Sequence, residues 1–284
     1  MSLDPRVTLA RRNLATAALE GVVRADVFAE PAASRVISPC APLRAAADAG
    51  SEQVNQLLFG ETFDALETSG DFVWGQARRD GYVGFVDARQ LGAEGAAPTH
   101  WVKAVRAFAF AAPSIKAPAS GPLSLNALVT IVEETDALMR AEGLGWVARR
   151  HLAPIGEVLT DPAAVAECFI GAPYLWGGRD GLGVDCSGLV QQALWACGRT
   201  CPRDADQQAR LGEGVAMGAL ARGDLVFWTG HVGMMLDGER LIHANAHHMA
   251  VAIEPLASAI QRIEDKGGGA PTAFRRLGPY FANS

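Results

Sequence analysis

Residues 171 to 190 read Gly-Ala-Pro-Tyr-Leu-Trp-Gly-Gly-Arg-Asp-Gly-Leu-Gly-Val-Asp-Cys-Ser-Gly-Leu-Val. A glycine-rich loop runs straight into a helical pattern that opens on Cys186. Beyond it Leu189, Val190, Ala193, Leu194 and Cys197 recur at the spacing of one helix face, and Gly198 supplies the stop. Asp185 suits the N-cap, because its carboxylate can accept from the unpaired backbone N–H groups of the first turn. A thiol at that position meets those N–H groups and the positive end of the helix dipole, which predicts a raised thiolate fraction near neutral pH. Most cysteines are inert core residues. A core cysteine needs neither a cap nor six glycines around it, so Cys186 reads as a nucleophile.

A nucleophile of this kind needs a base, and the base needs an orienting partner. His231 opens Gly-His-Val-Gly-Met-Met-Leu, a strand-like run, and His243 lies in Arg-Leu-Ile-His-Ala-Asn, a second run across the Asp237-Gly238 turn signal. A three-residue loop at 237–239 pairs residue 236 with 240 and 231 with 245, so that His243 faces Gly233. Both histidines then share a face as diagonal neighbours, roughly 7–8 Å apart at the backbone and within reach of each other's rings. A two-residue loop would turn one of them away.

The wider composition sets bounds on partners. The chain has 284 residues, 49% hydrophobic and 20% charged, enough for two or three soluble domains. A formal charge of −6 argues against nucleic acid or an anionic membrane surface, both of which call for basic patches. No apolar run approaches the ~20 residues of a membrane span, and Met1-Ser2-Leu3-Asp4-Pro5-Arg6 lacks the charge and apolar pattern of a signal peptide. The five cysteines, Cys40, Cys168, Cys186, Cys197 and Cys201, form no even disulfide framework and suit a reducing compartment, which predicts a cytoplasmic location. A periplasmic or secreted location would require a signal peptide removed from this sequence. Cys197 and Cys201 have no second ligand pair at metal spacing, and adjacent His247 and His248 on a strand would point to opposite faces, so neither a metal nor a cofactor is expected.

Residues 1–34 are expected to be a helical segment, from Val7 to about Val23, with Leu9, Leu14, Ala17, Ala18 and Leu19 among arginines. From Val36 to Leu91 short β-type runs with Gly and Asp turns predict a small barrel over 35–95. Gly84-Phe85-Val86-Asp87-Ala88-Arg89-Gln90-Leu91 realigns with Gly145-Trp146-Val147-Ala148-Arg149-Arg150-His151-Leu152, which predicts a second copy over 100–156. Prolines and a glycine between Ala153 and Pro162 form a linker to the last domain, 160–284.

Six blocks of that last domain resemble the NlpC/P60 cysteine peptidases: Pro173-Tyr174-Leu175-Trp176-Gly177-Gly178, Asp185-Cys186-Ser187-Gly188-Leu189-Val190, Pro202-Arg203-Asp204, Gly223-Asp224-Leu225-Val226-Phe227, His231-Val232-Gly233 and His243-Ala244, in family order. The resemblance implies an α+β fold in which a papain-like domain, with the cysteine helix packed on an antiparallel sheet, follows two small bacterial SH3-like β-barrels. It implies Cys186 as nucleophile, His231 as general base and then acid, and His243 as the orienting group. Tyr174 would help the Cys186 backbone N–H hold the oxyanion, and Asp185 and Ser187 would contact substrate. The N-terminal modules resemble those of the γ-D-glutamyl-L-diamino acid endopeptidases of murein-peptide recycling, where the first module demands a free N-terminal L-alanine. Tyr82 matches the tyrosine of that wall; Glu52, with Glu61 as the rival, would supply a carboxylate for the ammonium. Ala205 stands where the family often has serine, which removes a hydroxyl for the D-glutamate carboxylate. The implied activity is hydrolysis of the γ-D-glutamyl bond in murein stem peptides, with diaminopimelate or lysine beyond it. A secreted hydrolase or amidase of intact wall and a non-catalytic peptidoglycan-binding protein are the competing readings. Oligomeric state has no signature in the sequence.

Overall fold

The β-type runs between Val36 and Leu91 close into a seven-stranded sheet in the computed structural model, which describes residues 3–278. Its strands are Ala32–Val36, Cys40–Arg44, Gln53–Leu58, Thr62–Ser69, Phe72–Ala77, Val83–Asp87 and Leu91–Ala93. Inward residues at alternate positions, among them Val36, Leu43, Leu57, Phe63, Val73 and Val86, make its core. A second small barrel follows, built from a three-stranded and a five-stranded sheet between His100 and Pro154. The sequence repeat has a structural basis. Val83–Asp87, a 3₁₀ turn at Ala88–Gln90 and Leu91–Ala93 recur as Gly145–Ala148, a 3₁₀ turn at Arg149–His151 and Leu152–Pro154.

Both barrels lie in one unit, Met1–Ile155. Leu58 and Phe59 from the first join the core cluster of the second, with Val102, Leu123 and Val147. Leu128 N–H donates to the Phe59 carbonyl at 2.8 Å across this seam. Gly60 sits there at φ 81°, and a Cβ on it would lie 2.0 Å from the Leu128 oxygen, so only glycine lets the two backbones approach.

The expected N-terminal helix is not formed. Residues 7–23 hold a β-bridge between Ala10 and Ala15, a strand at Leu14–Thr16 paired in parallel with Val27–Ala29, and a 3₁₀ turn at Ala17–Leu19. The physical reason is tertiary. Leu9 and Ala15 are buried, Val83 N–H donates to the Arg6 carbonyl, and the Arg11 guanidinium lies 3.8 Å from the Trp74 ring centre while pairing with Glu67. An isolated helix of this length is marginal in water, and barrel contacts offer the same residues more.

Among the described residues, the second unit, Gly156–Ser284, places four α-helices around a six-stranded sheet. The helices are α1 (Pro162–Glu167), α2 (Cys186–Ala196), α3 (Ala205–Gln208) and α4 (Leu256–Asp265). The central hairpin is His231–Met235 and Arg240–Asn245, flanked by Leu225–Trp228 on one side and Ala250–Pro255 on the other, all antiparallel. α2 packs against both hairpin strands. It is buried along its whole length rather than on one face, and the amide nitrogens of its two glutamines donate internally: Gln191 Nε2 to the Cys201 carbonyl at 3.2 Å and Gln192 Nε2 to that of Arg179.

Candidate active site

The local sequence explains the start of α2. Asp185 is in extended conformation, and its Oδ1 accepts from Gly188 N–H at 2.7 Å while its Oδ2 accepts from Gly177 N–H at 2.9 Å. One carboxylate therefore caps the helix and ties down the preceding loop. Gly188 lets them meet, since a Cβ there would stand 2.2 Å from the Gly178 oxygen. Cys186, 6% exposed, follows the cap, and its sulfur accepts from the backbone N–H groups of Val232 and Ser187. The thiol thus lies against the start of the His231 strand.

The hairpin pairs Met234 with Ile242 and Met235 with Leu241, and Leu236 N–H donates to the Arg240 carbonyl, which is the register of a three-residue loop. His231 and His243 share a face, with Nε2 of the first 2.8 Å from Nδ1 of the second. The far nitrogen of His243, Nε2, lies 2.7 Å from Glu254 Oε1, and that same oxygen accepts from Arg262. Neither Glu254 nor Arg262 was singled out by the sequence. Glu254 sits on the next strand, where Leu241 pairs with Glu254 and His243 with Ala252.

Burial, with the Asp185 carboxylate next in weight, pushes the Cys186 thiol up to about 12 against the two N–H groups and Arg203. Burial, aided by His243 and Arg262, pulls His231 down to about 3. The resting pair is therefore a neutral thiol and a neutral imidazole, and the thiolate fraction expected from the helix start alone is outweighed by desolvation. Tyr174 is half-buried and its hydroxyl is raised by burial and by Cys186 and Asp185 nearby, so it stays protonated and able to donate.

Asp185 and Ser187 are placed differently from simple substrate ligands. Arg203, 1% exposed, donates to Asp185 Oδ1 at 3.0 Å and Oδ2 at 2.6 Å, and to Ser187 Oγ at 2.8 Å. Ser187 Oγ in turn donates to Asp185 Oδ1 at 3.2 Å. With Gly177 and Gly188 the Asp185 carboxylate receives five donors, against about four lone-pair sites, so both residues are engaged inside the domain. From the sequence Arg203 is only one member of the Pro202-Arg203-Asp204 block. Replacing it by methionine is expected to destabilise the domain by about 3–5 kcal/mol, because the buried Asp185 charge loses its partner. Urea titration would show a lowered midpoint; an unchanged midpoint would mean the pair carries no such weight.

Tyr82 is 6% exposed and packs in the core of the first barrel, and Glu52 is exposed on the same unit. Glu61 is 2% exposed and accepts from Leu58 N–H at 3.1 Å and Arg79 Nη1 at 3.0 Å, which makes it a structural ion-pair residue. Ala205 is the first residue of α3, after the Asp204 cap. His247 and His248 lie in a turn, not on a strand, with ring centres 4.7 Å apart, so strand alternation does not separate them. His243, His248 and Glu254 offer ligand atoms within 4.8 Å of one another. Within that group His243 and Glu254 are joined by a hydrogen bond, Arg262 pairs with the same carboxylate, and His248 is held by Asn245 Oδ1.

A buried thiol at a capped helix start, beside a histidine steadied by a second histidine, is the equipment of a cysteine hydrolase. The NlpC/P60 family model matches residues 171–263, and the model of the bacterial dipeptidyl-peptidase SH3 domain matches 43–91. The gamma-D-glutamyl-L-lysine dipeptidyl-peptidase of Bacillus subtilis is 28% identical over 232 residues, 74% of this chain and 78% of that protein. A Bacillus cereus protein of the same name is 36% identical over 96 residues, 31% of this chain and 29% of its own length. The crystal structure of a Bacillus cereus NlpC/P60 family protein superposes with a TM-score of 0.75 at 22% identity, covering 87% of this chain and all of that one. The chain carries an NlpC/P60 domain with a bacterial dipeptidyl-peptidase SH3 domain ahead of it, and is a cysteine peptidase.

Proposed function

We propose that the chain hydrolyses the γ-D-glutamyl-L-diamino acid bond of murein stem peptides that carry a free N-terminal L-alanine. The observation that carries the reading is the hydrogen-bonded line from His231 through His243 beside Cys186, in a chain similar along most of its length to a γ-D-glutamyl-L-lysine dipeptidyl-peptidase. In the proposed reaction the Cys186 sulfur attacks the γ-carbonyl carbon as His231 takes the thiol proton. The Tyr174 hydroxyl and the Cys186 backbone N–H receive the developing oxyanion, a contribution of about 2.7–4 kcal/mol per donor in comparable sites. His231 then gives the proton to the leaving amine of the diamino acid. Water, deprotonated by His231, attacks the thioester, and L-Ala-D-Glu leaves as Cys186 is reprotonated. Five unbridged cysteines support action in a reducing compartment on recycled peptides rather than on polymer.

In this reading selection of the free amine involves Tyr82 and Glu52, the residues to which the family resemblance assigns it, while Glu61 pairs with Arg79 and Asp185 with Arg203. An ammonium site that has to be desolvated loses about 1–3 kcal/mol or more when the substrate brings no ammonium. N-acetylation of L-Ala-γ-D-Glu-diaminopimelate is therefore expected to lower kcat/KM by about ten-fold to several hundred-fold, and Tyr82→Ala and Glu52→Ala to narrow the gap by harming the free-amine substrate most. Digestion of a stem-peptide panel with mass spectrometry checks this. Equal cleavage of acetylated peptide or of intact sacculi would replace the recycling reading by that of a wall hydrolase.

A further inference from the structure

Catalysis at the site needs one lone pair aimed at the thiol, and a histidine offers two nitrogens of which either can carry the proton. The structure ends the histidine line on a group that resolves this choice. We propose that Glu254, held by Arg262, is a positioning residue that sets the tautomers of both His243 and His231. The inference rests on the catalytic roles proposed above.

Glu254 fixes the first proton of the line. An ionised carboxylate only accepts, and Glu254 is held down at about 2 by its bonds to His243 and Arg262 in spite of its burial. His243 Nε2, 2.7 Å from Oε1, must therefore carry a hydrogen. His243 is itself kept neutral, chiefly by burial, so its Nδ1 is a bare lone pair. At 2.8 Å that lone pair can only accept, and His231 Nε2 must be the donor. A neutral His231 protonated on Nε2 keeps Nδ1 as its basic nitrogen, the one left for the Cys186 proton. When that proton arrives, the positive charge on His231 is stabilised along the line by the Glu254 carboxylate.

The scaffold holds this end of the line as firmly as the other. Leu241 and Glu254 are paired, so His243 and Glu254 are diagonal neighbours on one sheet face. Leu241 shares a core cluster with Leu256 and Ala259 of α4, which places α4 over that face and brings Arg262 to the carboxylate. Arg262 keeps Glu254 ionised and keeps it from turning away.

Glu254→Leu removes the acceptor, and Glu254→Gln keeps an oxygen that Arg262 and His243 can share. Leucine is expected to lower kcat by about ten- to a hundred-fold with KM within about two-fold, and glutamine to restore most of the loss. A structural role alone would not move tautomers, so ¹⁵N-histidine NMR is the second readout. The wild type should show His243 and His231 both protonated on Nε2, and Glu254→Leu a mixture of tautomers, with melting curves as the folding control. Protonation of His243 on Nδ1 in the wild type, or an unchanged kcat in a folded Glu254→Leu, would overturn the proposal. A wild type that cleaves no stem peptide would count against the substrate assignment alone, because the NMR arm and the iodoacetamide reactivity of Cys186 need no substrate.

Discussion

Cys186→Ala is expected to reduce hydrolysis by about a factor of 10⁶ while leaving the fold in place, in line with removal of the nucleophile from other acyl-transfer enzymes. The substitution removes one sulfur from a helix start whose cap, Asp185, is bound by Gly177, Gly188 and Arg203 and does not depend on the thiol. The same cysteine gives a reactivity result that reverses the expectation from the helix position alone. Its thiol is pushed up to about 12 by burial and by the Asp185 charge, so iodoacetamide at pH 7 should reach exposed Cys168 before Cys186, whose labelling should climb only in alkaline solution. Peptide mass mapping over a pH series checks both. Residual turnover in Cys186→Ala would end its assignment as nucleophile, and fastest labelling of Cys186 at neutral pH would show that the helix start outweighs desolvation.

His231→Ala is expected to cost nearly as much rate as losing the thiol, and His243→Ala about one to two powers of ten less, since members of such a unit are strongly non-additive and the orienting member matters least. The pH dependence has a definite sign. His231 must be neutral to act as base, and burial holds its protonation down at about 3 instead of the ordinary 6.5. Activity should therefore persist as the pH falls through 6.5 and be lost only in strongly acid solution. Stability moves first: an unfolded chain takes up protons on His231 and His243 from about pH 6.5 downward while the folded chain does not, so the stability these neutral rings confer is present above that pH and declines below it. A kcat/KM profile beside a melting-temperature profile separates the two. An acid limb of activity near 6.5, or inactivity of His247→Ala or His248→Ala with a normal His243→Ala, would overturn this assignment of the histidines.

What the sequence by itself determined is what short-range geometry governs. Cys186 follows a carboxylate and precedes an apolar periodicity, so the capped helix follows from adjacent residues. The two apolar runs on either side of Asp237-Gly238 admit a three-residue loop, and with that loop the hairpin register brings His231 to His243. The repeated Gly-aromatic-Val pattern at residues 84 and 145 marks two strand-turn-strand units because each is built locally.

The tertiary structure decided the rest. Residues 7–23 have a helical pattern, yet long-range contacts with Trp74, Glu67 and Gln76 draw them into strands. Asp185 and Ser187 look open beside a nucleophile until Arg203, sixteen to eighteen residues away, is seen to occupy both. Glu254 is one acid among many until the pairing of Leu241 with Glu254 sets it diagonal to His243. The protonation of Cys186 and His231 depends on how much water the packed domain excludes, a property of the whole fold that no single stretch of residues contains.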